Sequence, residues 1–216
     1  MKVIVVAGGD AVARDADLLA EADLVIAADA GAHWLEDQGR LPDRVVGDMD
    51  SVRPALLARL AARGVVLERY AVDKDASDLE LAIRSAVHAG ADQIVILGAA
   101  GGVRLDHEIA NLLLLAEPAW RGIDLRLKRD RASARAVRGP GHLRLEGRIG
   151  DLVTLLSLGD AAIGVRTEGL RWRLAGETLG IGSTRGLSNA VALAPASVSL
   201  ESGTLLVIET EQEVSE

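Results

Sequence analysis

The strongest constraint on the fold is a change of texture near residue 130 of this 216-residue chain. Before it, short β-rich runs alternate with segments whose apolar residues recur at helical spacing. The strand candidates are Lys2–Ala7, Leu24–Ala28, Arg44–Val46, Val65–Arg69, Gln93–Leu97 and Asp124–Leu127. Between them, Ala11–Glu21, Ala32–Gln38, Pro54–Arg63, Asp78–Ala89 and Asp106–Ala116 read as helices with a 3.6-residue period. Repeated β-α-β units with short links call for a mostly parallel sheet with helices on both faces. After Asp130 the runs ASARAVRG, HLRLEGRIG, LVTLLSLG, AIGVRTEG, LRWRLAG, NAVALAPASVSLES and TLLVIET are short and split by Gly, Pro or Asn. Turn signals every eight to twelve residues or so point to an antiparallel sandwich or barrel. The expected organisation is an α/β N-terminal domain over residues 1–131 and a smaller all-β C-terminal domain over residues 132–216.

Composition narrows the function classes. Nearly half the residues are apolar, but Phe is absent and Tyr occurs once, so Leu, Val, Ile and Ala must fill the core. A net charge of −8 argues against a broad nucleic-acid surface, which needs a Lys/Arg stripe. Without cysteine there are no disulfides and no thiolate metal sites. The opening MKVIVVAGGD is too short in its apolar run for a signal peptide, and no stretch reaches a membrane span. A cytoplasmic protein with no membrane and no nucleic-acid partner is the expectation.

Ligands of an open parallel sheet bind at the carboxyl ends of its strands. Four polar clusters fall there: Asp29-Ala-Gly31, Gly47-Asp-Met-Asp-Ser51, Asp73–Asp78 and Gly98–His107. Asp48 and Asp50 stand two residues apart, and side chains at i and i+2 of an extended segment point the same way, so both should converge at the strand end. The run DKDASD adds Asp73, Lys74, Asp75, Ser77 and Asp78. Clustered carboxylates repel one another unless a cation neutralises them. Oxygen-only donors, with no cysteine and no nearby histidine, suit Mg²⁺ rather than zinc. Mg²⁺ at strand ends of an α/β chain points to phosphate chemistry.

Each cluster also has a plainer reading. Asp48 and Asp50 are good turn formers, and Ser77-Asp-Leu-Glu80 is a capping box whose helix N-terminus attracts phosphate in any case. Gly98-Ala-Ala-Gly-Gly102 alone is a tight turn, and Arg104 with Asp106 is an ordinary surface pair. His107 alone fits a structural role. Asn111 is polar in an otherwise apolar stretch and is expected to hydrogen-bond the acidic loops. On a strand, LRWRL would place Leu170, Trp172 and Leu174 on one core-facing side. The stretch Gly182–Asn189 is too polar for a strand and reads as a loop that presents hydroxyls and amides.

Taken together, GDMDS (47–51), DKDASDLELAI (73–83), GGVRLDHEIAN (101–111) and GLRWRL with GSTRGLSN (169–189) resemble the motifs of thiamine pyrophosphokinases, in order and over nearly the whole chain. Two departures are Ser77 in place of the usual Thr and Val103 as an extra residue between Gly102 and Arg104. The resemblance implies an α/β domain that binds ATP and Mg²⁺, followed by a β-sandwich that binds thiamine and dimerises. It also implies a homodimer with thiamine bound where domains of two subunits meet. The implied reaction moves the terminal pyrophosphate of ATP to the thiamine hydroxyl, giving thiamine diphosphate and AMP.

By that resemblance Asp48, Asp50 and Asp78 hold Mg²⁺, and Asp48, Asp50, Asp78, Arg104 and Asp106 form the catalytic set. Asp78 is the expected acceptor of the hydroxyl proton. Asp29, Gly31, Asp73, Lys74, Asp75, Ser77, Gly101, Gly102, His107 and Asn111 are the expected contacts to nucleotide and diphosphate. Trp172, Ser188 and Asn189 are the expected contacts to thiamine. Two rivals stay open on sequence alone: a pterin-type pyrophosphokinase, and a sensor that binds thiamine or nucleotide without turnover.

Overall fold

The computed structural model describes residues 1–213. The chain divides into two compact units, Met1–Leu114 with Ala119–Asp130, and Leu115–Pro118 with the chain from Arg131 onward.

The first unit is built on β1 (Lys2–Val6), β2 (Leu24–Ala28), β3 (Arg44–Gly47), β4 (Val66–Arg69), β5 (Gln93–Leu97) and β6 (Asp124–Arg129). They run parallel in the order β6-β5-β1-β2-β3-β4. The linking helices are α1 (Gly31–Asp37), α2 (Pro54–Ala62), α3 (Asp78–His88) and α4 (Leu105–Leu114). The first expected helix is instead 3₁₀ over Ala13–Glu21: Val12 offers no side-chain cap, and the Asp15 N–H bonds back to the Val12 carbonyl at 3.0 Å. Pro54 opens α2, where its missing N–H costs nothing.

Alternation along the strands explains the layers. Ile4, Val6, Val25, Ala27, Val45, Val95 and Leu97 share one core with Leu35 of α1 and with Leu56 and Leu60 of α2. The alternate residues Val3, Val5, Ile26, Val46, Ile94 and Ile96 are just as buried. They face the other way, where α3 packs along β1, β2 and β3. These strands are apolar on both faces, as a doubly covered parallel sheet requires.

The second unit is wholly antiparallel. Its strands are β7 (Ala132–Arg138), β8 (Gly141–Arg144), β9 (Leu152–Ser157), β10 (Ala162–Glu168), β11 (Ala175–Leu179), β12 (Asn189–Ala190), β13 (Ser197–Leu200) and β14 (Thr204–Thr210). One sheet runs β12-β9-β14-β7 and the other β11-β10-β13-β8. Val137, Val153, Leu155, Leu205 and Val207 of the first sheet meet Val165, Leu179, Val198 and Leu200 of the second in one core, which makes the unit a sandwich.

One end of this core is polar. Arg135 and Glu209 form a 2.6 Å ion pair with both side chains buried. The other Glu209 oxygen accepts the N–H groups of Glu146 and Gly147 at 2.7 and 2.9 Å, which pins the link after β8 to β14. A buried pair of this kind adds little over an apolar one, but breaking it strands a charge. Arg135→Met is therefore expected to destabilise the protein by about 3–5 kcal/mol. Adding Glu209→Gln should recover part of that loss. Denaturant midpoints at constant slope measure both effects. A loss under about 1 kcal/mol for the single variant would show that the pair is solvated.

Candidate active site

The strand order fixes where a ligand can sit. The chain builds β1 to β4 outward in one direction and then returns past β1 to add β5 and β6 on the other side. The boundary between β1 and β5 is therefore the switch point of the sheet, and ligands of such sheets sit at the carboxyl edge outside it. Gly8-Gly9-Asp10 leaves β1 there, and Gly98–Gly102 leaves β5. The Gly9 N–H donates to the Gly98 carbonyl at 2.7 Å, and the Gly102 N–H donates to Asp10 Oδ2 at 2.8 Å. A side chain at Gly9 would lie 2.5 Å from that carbonyl, so only glycine permits this approach.

Along the same edge, the ends of β2 and β3 bring three carboxylates together. Asp29, Asp48 and Asp50 each place an oxygen within 4.8 Å of the others. Asp48 and Asp50 do converge, but not through the pleat of a strand. β3 stops at Gly47, and Met49 adopts a left-handed backbone with φ of 66° and is buried in the core. The chain thus turns between the two aspartates: Met49 points inward while its neighbours stay at the edge. The Asp50 N–H closes this turn on Asp48 Oδ1 at 3.2 Å, and the Ser51 hydroxyl donates to Asp50 at 2.9 Å.

The α3 N-terminus joins this group through Lys74. Its ammonium lies 2.8 Å from Asp48 Oδ2 and 2.8 Å from Asp78 Oδ1. The Lys74 hydrogen bond, with the Asp50 N–H, holds the Asp48 carboxyl below the usual carboxylate range. Burial pulls the Lys74 pKa down, but its bonds to Asp48 and Asp78 outweigh that and leave it raised. Gly47 makes the approach of α3 possible, since a Cβ there would stand 2.8 Å from Asp78 Oδ1 and 3.2 Å from Asp29 Cβ. Ser77 caps α3 by accepting the Glu80 N–H at 3.2 Å, while Glu80 pairs forward with Arg84 instead of reaching back. Asp73 and Asp75 point to solvent, and Gly31 opens α1 at the β2 end.

Asp29 is the most constrained of the acids. It is 8% exposed, its backbone is left-handed with φ of 44°, and its Oδ1 is buried with no hydrogen-bond donor among the described residues. Burial pushes its pKa up, and the charges of Asp78, Asp48 and Asp50 push the same way against the Ser51 hydroxyl. An all-oxygen group with an orphaned carboxylate oxygen, already drawing an ammonium to its rim, has the donor chemistry of a hard divalent cation. Asp29 stands in this group directly, whereas Asp78 meets it through Lys74.

The glycine-rich loop and α4 form a separate cluster. Arg104 and Asp106 are both exposed and bond each other twice, at 2.9 and 2.5 Å. That pairing pushes the Asp106 carboxyl down and the Arg104 guanidinium up. Val103 is wholly exposed, so the extra residue bulges to solvent, and His107 is exposed on the first turn of α4. Asn111 does not reach the acidic loops; its amide donates to the Ala99 carbonyl at 2.8 Å, because α4 follows β5 and faces the β5 loop. Asp10 and Arg129 complete this cluster. Asp10 was legible in principle, since Gly-Gly-Asp follows the first strand as the other polar clusters follow theirs. Arg129 was not: it ends β6, and only strand pairing sets its guanidinium about Gly101, where a Cβ would stand 3.0 Å from Nη2.

In the second unit, LRWRL is not a strand. Gly169, with φ of 70°, turns the chain, so Leu170 and Leu174 are buried while Trp172 is 57% exposed. The Arg171 guanidinium stands 5.1 Å from the centre of the indole. Ser188 is exposed and left-handed, with φ of 56°, and its N–H donates to Thr154 Oγ1 at 3.1 Å. Asn189 is buried and commits its amide to the Trp172 backbone.

Known proteins resemble this chain in sequence and in fold. A family model described as the catalytic domain of thiamin pyrophosphokinase matches residues 16–127, and one described as its vitamin B1 binding domain matches residues 142–205. The chain belongs to the thiamin pyrophosphokinase family. It is 28% identical over 191 residues to the thiamine pyrophosphokinase of Bacillus subtilis, covering 88% of each chain. To thiamine pyrophosphokinase 2 of Arabidopsis thaliana it is 28% identical over 217 aligned positions, covering 88% of this chain and 79% of the plant protein. The crystal structure of the Bacillus subtilis enzyme superimposes with a TM-score of 0.86 at 26% identity, over 99% of this chain and all of that one. An α/β part followed by an antiparallel β part is thus the architecture of the family as well as of this chain. Among the described residues, no helix is long and apolar enough to cross a membrane.

The raised proton affinity of Asp29 has a consequence for stability. At neutral pH the folded chain carries the cost of its ionised form. That cost fades as pH falls through the folded-state pKa, where the native protein takes up a proton the unfolded chain does not yet hold. Asp29→Asn keeps the shape without the charge. It is expected to raise the melting temperature of metal-free protein at about pH 8, with the gain narrowing toward about pH 5. A melting temperature at or below wild type at the higher pH would show that the carboxylate is not penalised.

Proposed function

We propose that this thiamin pyrophosphokinase family member transfers the terminal pyrophosphate of ATP to the hydroxyl of thiamine at the acidic edge of its first unit. The observation that carries the site is the convergence of Asp29, Asp48 and Asp50 at the ends of β2 and β3. Mg²⁺ held by these three, with Asp78 beside them, would neutralise the charge of the triphosphate. Its AMP end lies over the joined loops Gly8-Gly9-Asp10 and Gly98–Gly102, where loop glycines let the backbone approach phosphate. Of the other expected contacts, Gly31 and Ser77 open α1 and α3 at this edge, Asp73, Asp75 and His107 stand exposed beside it, and Asn111 braces the β5 loop through the Ala99 carbonyl. Arg104 turns from Asp106 to the phosphates as they arrive.

The thiamine oxygen attacks the β-phosphorus, the bond from that phosphorus to the α-phosphate oxygen breaks, and AMP leaves with the electron pair. Lys74 turns from Asp48 and Asp78 toward the transferred phosphates, which frees Asp78 to take the hydroxyl proton. Rate enhancement here is chiefly positioning and charge neutralisation. In the second unit, the exposed Trp172 ring stacks on the aromatic part of thiamine, and the Ser188 hydroxyl bonds its edge.

The active form is a homodimer in the cytoplasm. Support for association comes from α4, on which no residue is buried. Leu105, Ile109 and Leu113 recur every four residues and are 67%, 50% and 51% exposed, one apolar stripe facing outward. A second copy of the chain is the partner this stripe fits.

Incubation with ATP, Mg²⁺ and thiamine should yield equimolar AMP and thiamine diphosphate; ADP with thiamine monophosphate, or no turnover, would refute the assignment. Asp48→Asn and Asp50→Asn should each lower turnover by about 10²–10³-fold with the fold intact. Near-normal rates in both would remove the acidic edge from the reaction. Ile109→Asp with Leu113→Asp should convert a dimer to a monomer in sedimentation velocity. An unchanged distribution would place the association surface elsewhere.

A further inference from the structure

Asn189 follows the exposed Ser188 and opens the two-residue strand β12, yet it is only 7% exposed. Its side-chain oxygen accepts the Trp172 N–H at 3.0 Å and the Ala190 N–H at 2.8 Å. Its amide nitrogen donates to the Trp172 carbonyl at 2.7 Å. Both backbone polar groups of Trp172 therefore rest on one side chain. The partners also settle the orientation of the amide: two N–H groups need the oxygen, and a carbonyl needs the NH₂.

The reason for this arrangement is local. Around Trp172 the chain bends out of strand geometry, so no neighbouring strand supplies its ladder bonds. Pairing resumes just beside it, where the Arg171 N–H bonds the Ala190 carbonyl at 2.9 Å and Leu170 bridges Val191. Asn189 replaces the missing ladder for one residue, the one whose ring projects into solvent. It also joins two exposed segments, since Ser188 next to it is held to Thr154 on β9. Asparagine is the compact side chain that carries both an acceptor and a donor on one plane. Aspartate keeps the acceptor and loses the donor, and alanine loses both.

We propose that Asn189 is a positioning residue for thiamine recognition: it fixes the backbone from which the Trp172 ring projects and acts on the vitamin through that ring. This rests on the reading that Trp172 stacks on thiamine. With its oxygen and one of its two amide hydrogens committed to backbone groups, and with only 7% of its surface exposed, Asn189 serves the backbone and leaves contact with the vitamin to the ring. Its contribution is preorganisation, a platform already oriented when the substrate arrives. Arg171 against the indole leaves the opposite face for a planar ring.

The test is a double-mutant cycle read as KM for thiamine and KM for ATP in Trp172→Ala, Asn189→Ala and the double variant. Asn189→Ala should raise KM for thiamine about tenfold and leave KM for ATP within about twofold. In the Trp172→Ala background the same change should have no further effect on KM for thiamine, because no ring is left to position. If Asn189→Ala does not fold, Asn189→Asp carries the same cycle, with melting curves to confirm the native state. Additive effects in the double variant would overturn the proposal in favour of direct contact between Asn189 and thiamine. Parallel rises in both KM values would overturn it in favour of a general scaffold role. An unchanged KM for thiamine in Trp172→Ala would overturn the stacking reading itself, and the proposal with it.

Discussion

Mutual repulsion among Asp29, Asp48, Asp50 and Asp78 is the constraint around which the first unit is arranged. Nothing in the stability of a parallel sheet asks for these charges side by side, and their proximity works against folding. The chain answers with devices that cost little elsewhere. Of the four acids Asp50 stays exposed, and Lys74 places its ammonium 2.8 Å from both Asp48 and Asp78. Gly47 removes the one Cβ that would keep α3 from closing on β3. What is left uncompensated sits on Asp29, whose buried oxygen has no donor among the described residues. The chain tolerates this deficit at one edge while filling both faces of its sheet with Val, Ile, Leu and Ala, and that edge is where the proposed cation would sit.

The second unit handles buried polarity in the opposite way, by satisfying interior polar groups within the fold. Glu209 meets Arg135 and two backbone N–H groups, and Thr167 accepts the Leu174 N–H at 2.9 Å. Asn189 serves the backbone around Trp172. Such closed networks rigidify the places where loops leave the sandwich. The two units differ because their polar groups face different partners. Those of the first leave a carboxylate oxygen of Asp29 without a donor among the described residues, and those of the second are spent on the backbone around Trp172.

Much of this was legible in the chain because local chemistry dictated it. The six strands of the first unit follow from apolar runs at regular intervals, and the β-sandwich character follows from short runs broken by turn residues. Asp48 and Asp50 were recognisable as a pair, yet the reason for their convergence was not, because it depends on a left-handed Met49 that only core packing makes worthwhile. Trp172 was ambiguous for a related reason. Strand alternation would bury it with Leu170 and Leu174, and only the turn at Gly169 separates it from them. Asn111 turns back to the loop before its own helix, and Arg129 reaches Gly101 from the neighbouring strand; both depend on how α4 and β6 pack beside β5.

The sequence by itself determined the two architectures, the run of acidic and glycine-rich turns at strand ends, and the family to which those motifs belong. These are matters of periodicity, turn chemistry and short-range order, which neighbouring residues settle among themselves. Tertiary structure alone decided that Asp29 joins Asp48 and Asp50, that Lys74 bridges Asp48 to Asp78, and that Asn189 supports Trp172 rather than facing solvent. Each of those outcomes depends on which strands lie side by side and which backbone groups are left without a partner. Such groups find their bonds only once the whole unit has closed around them.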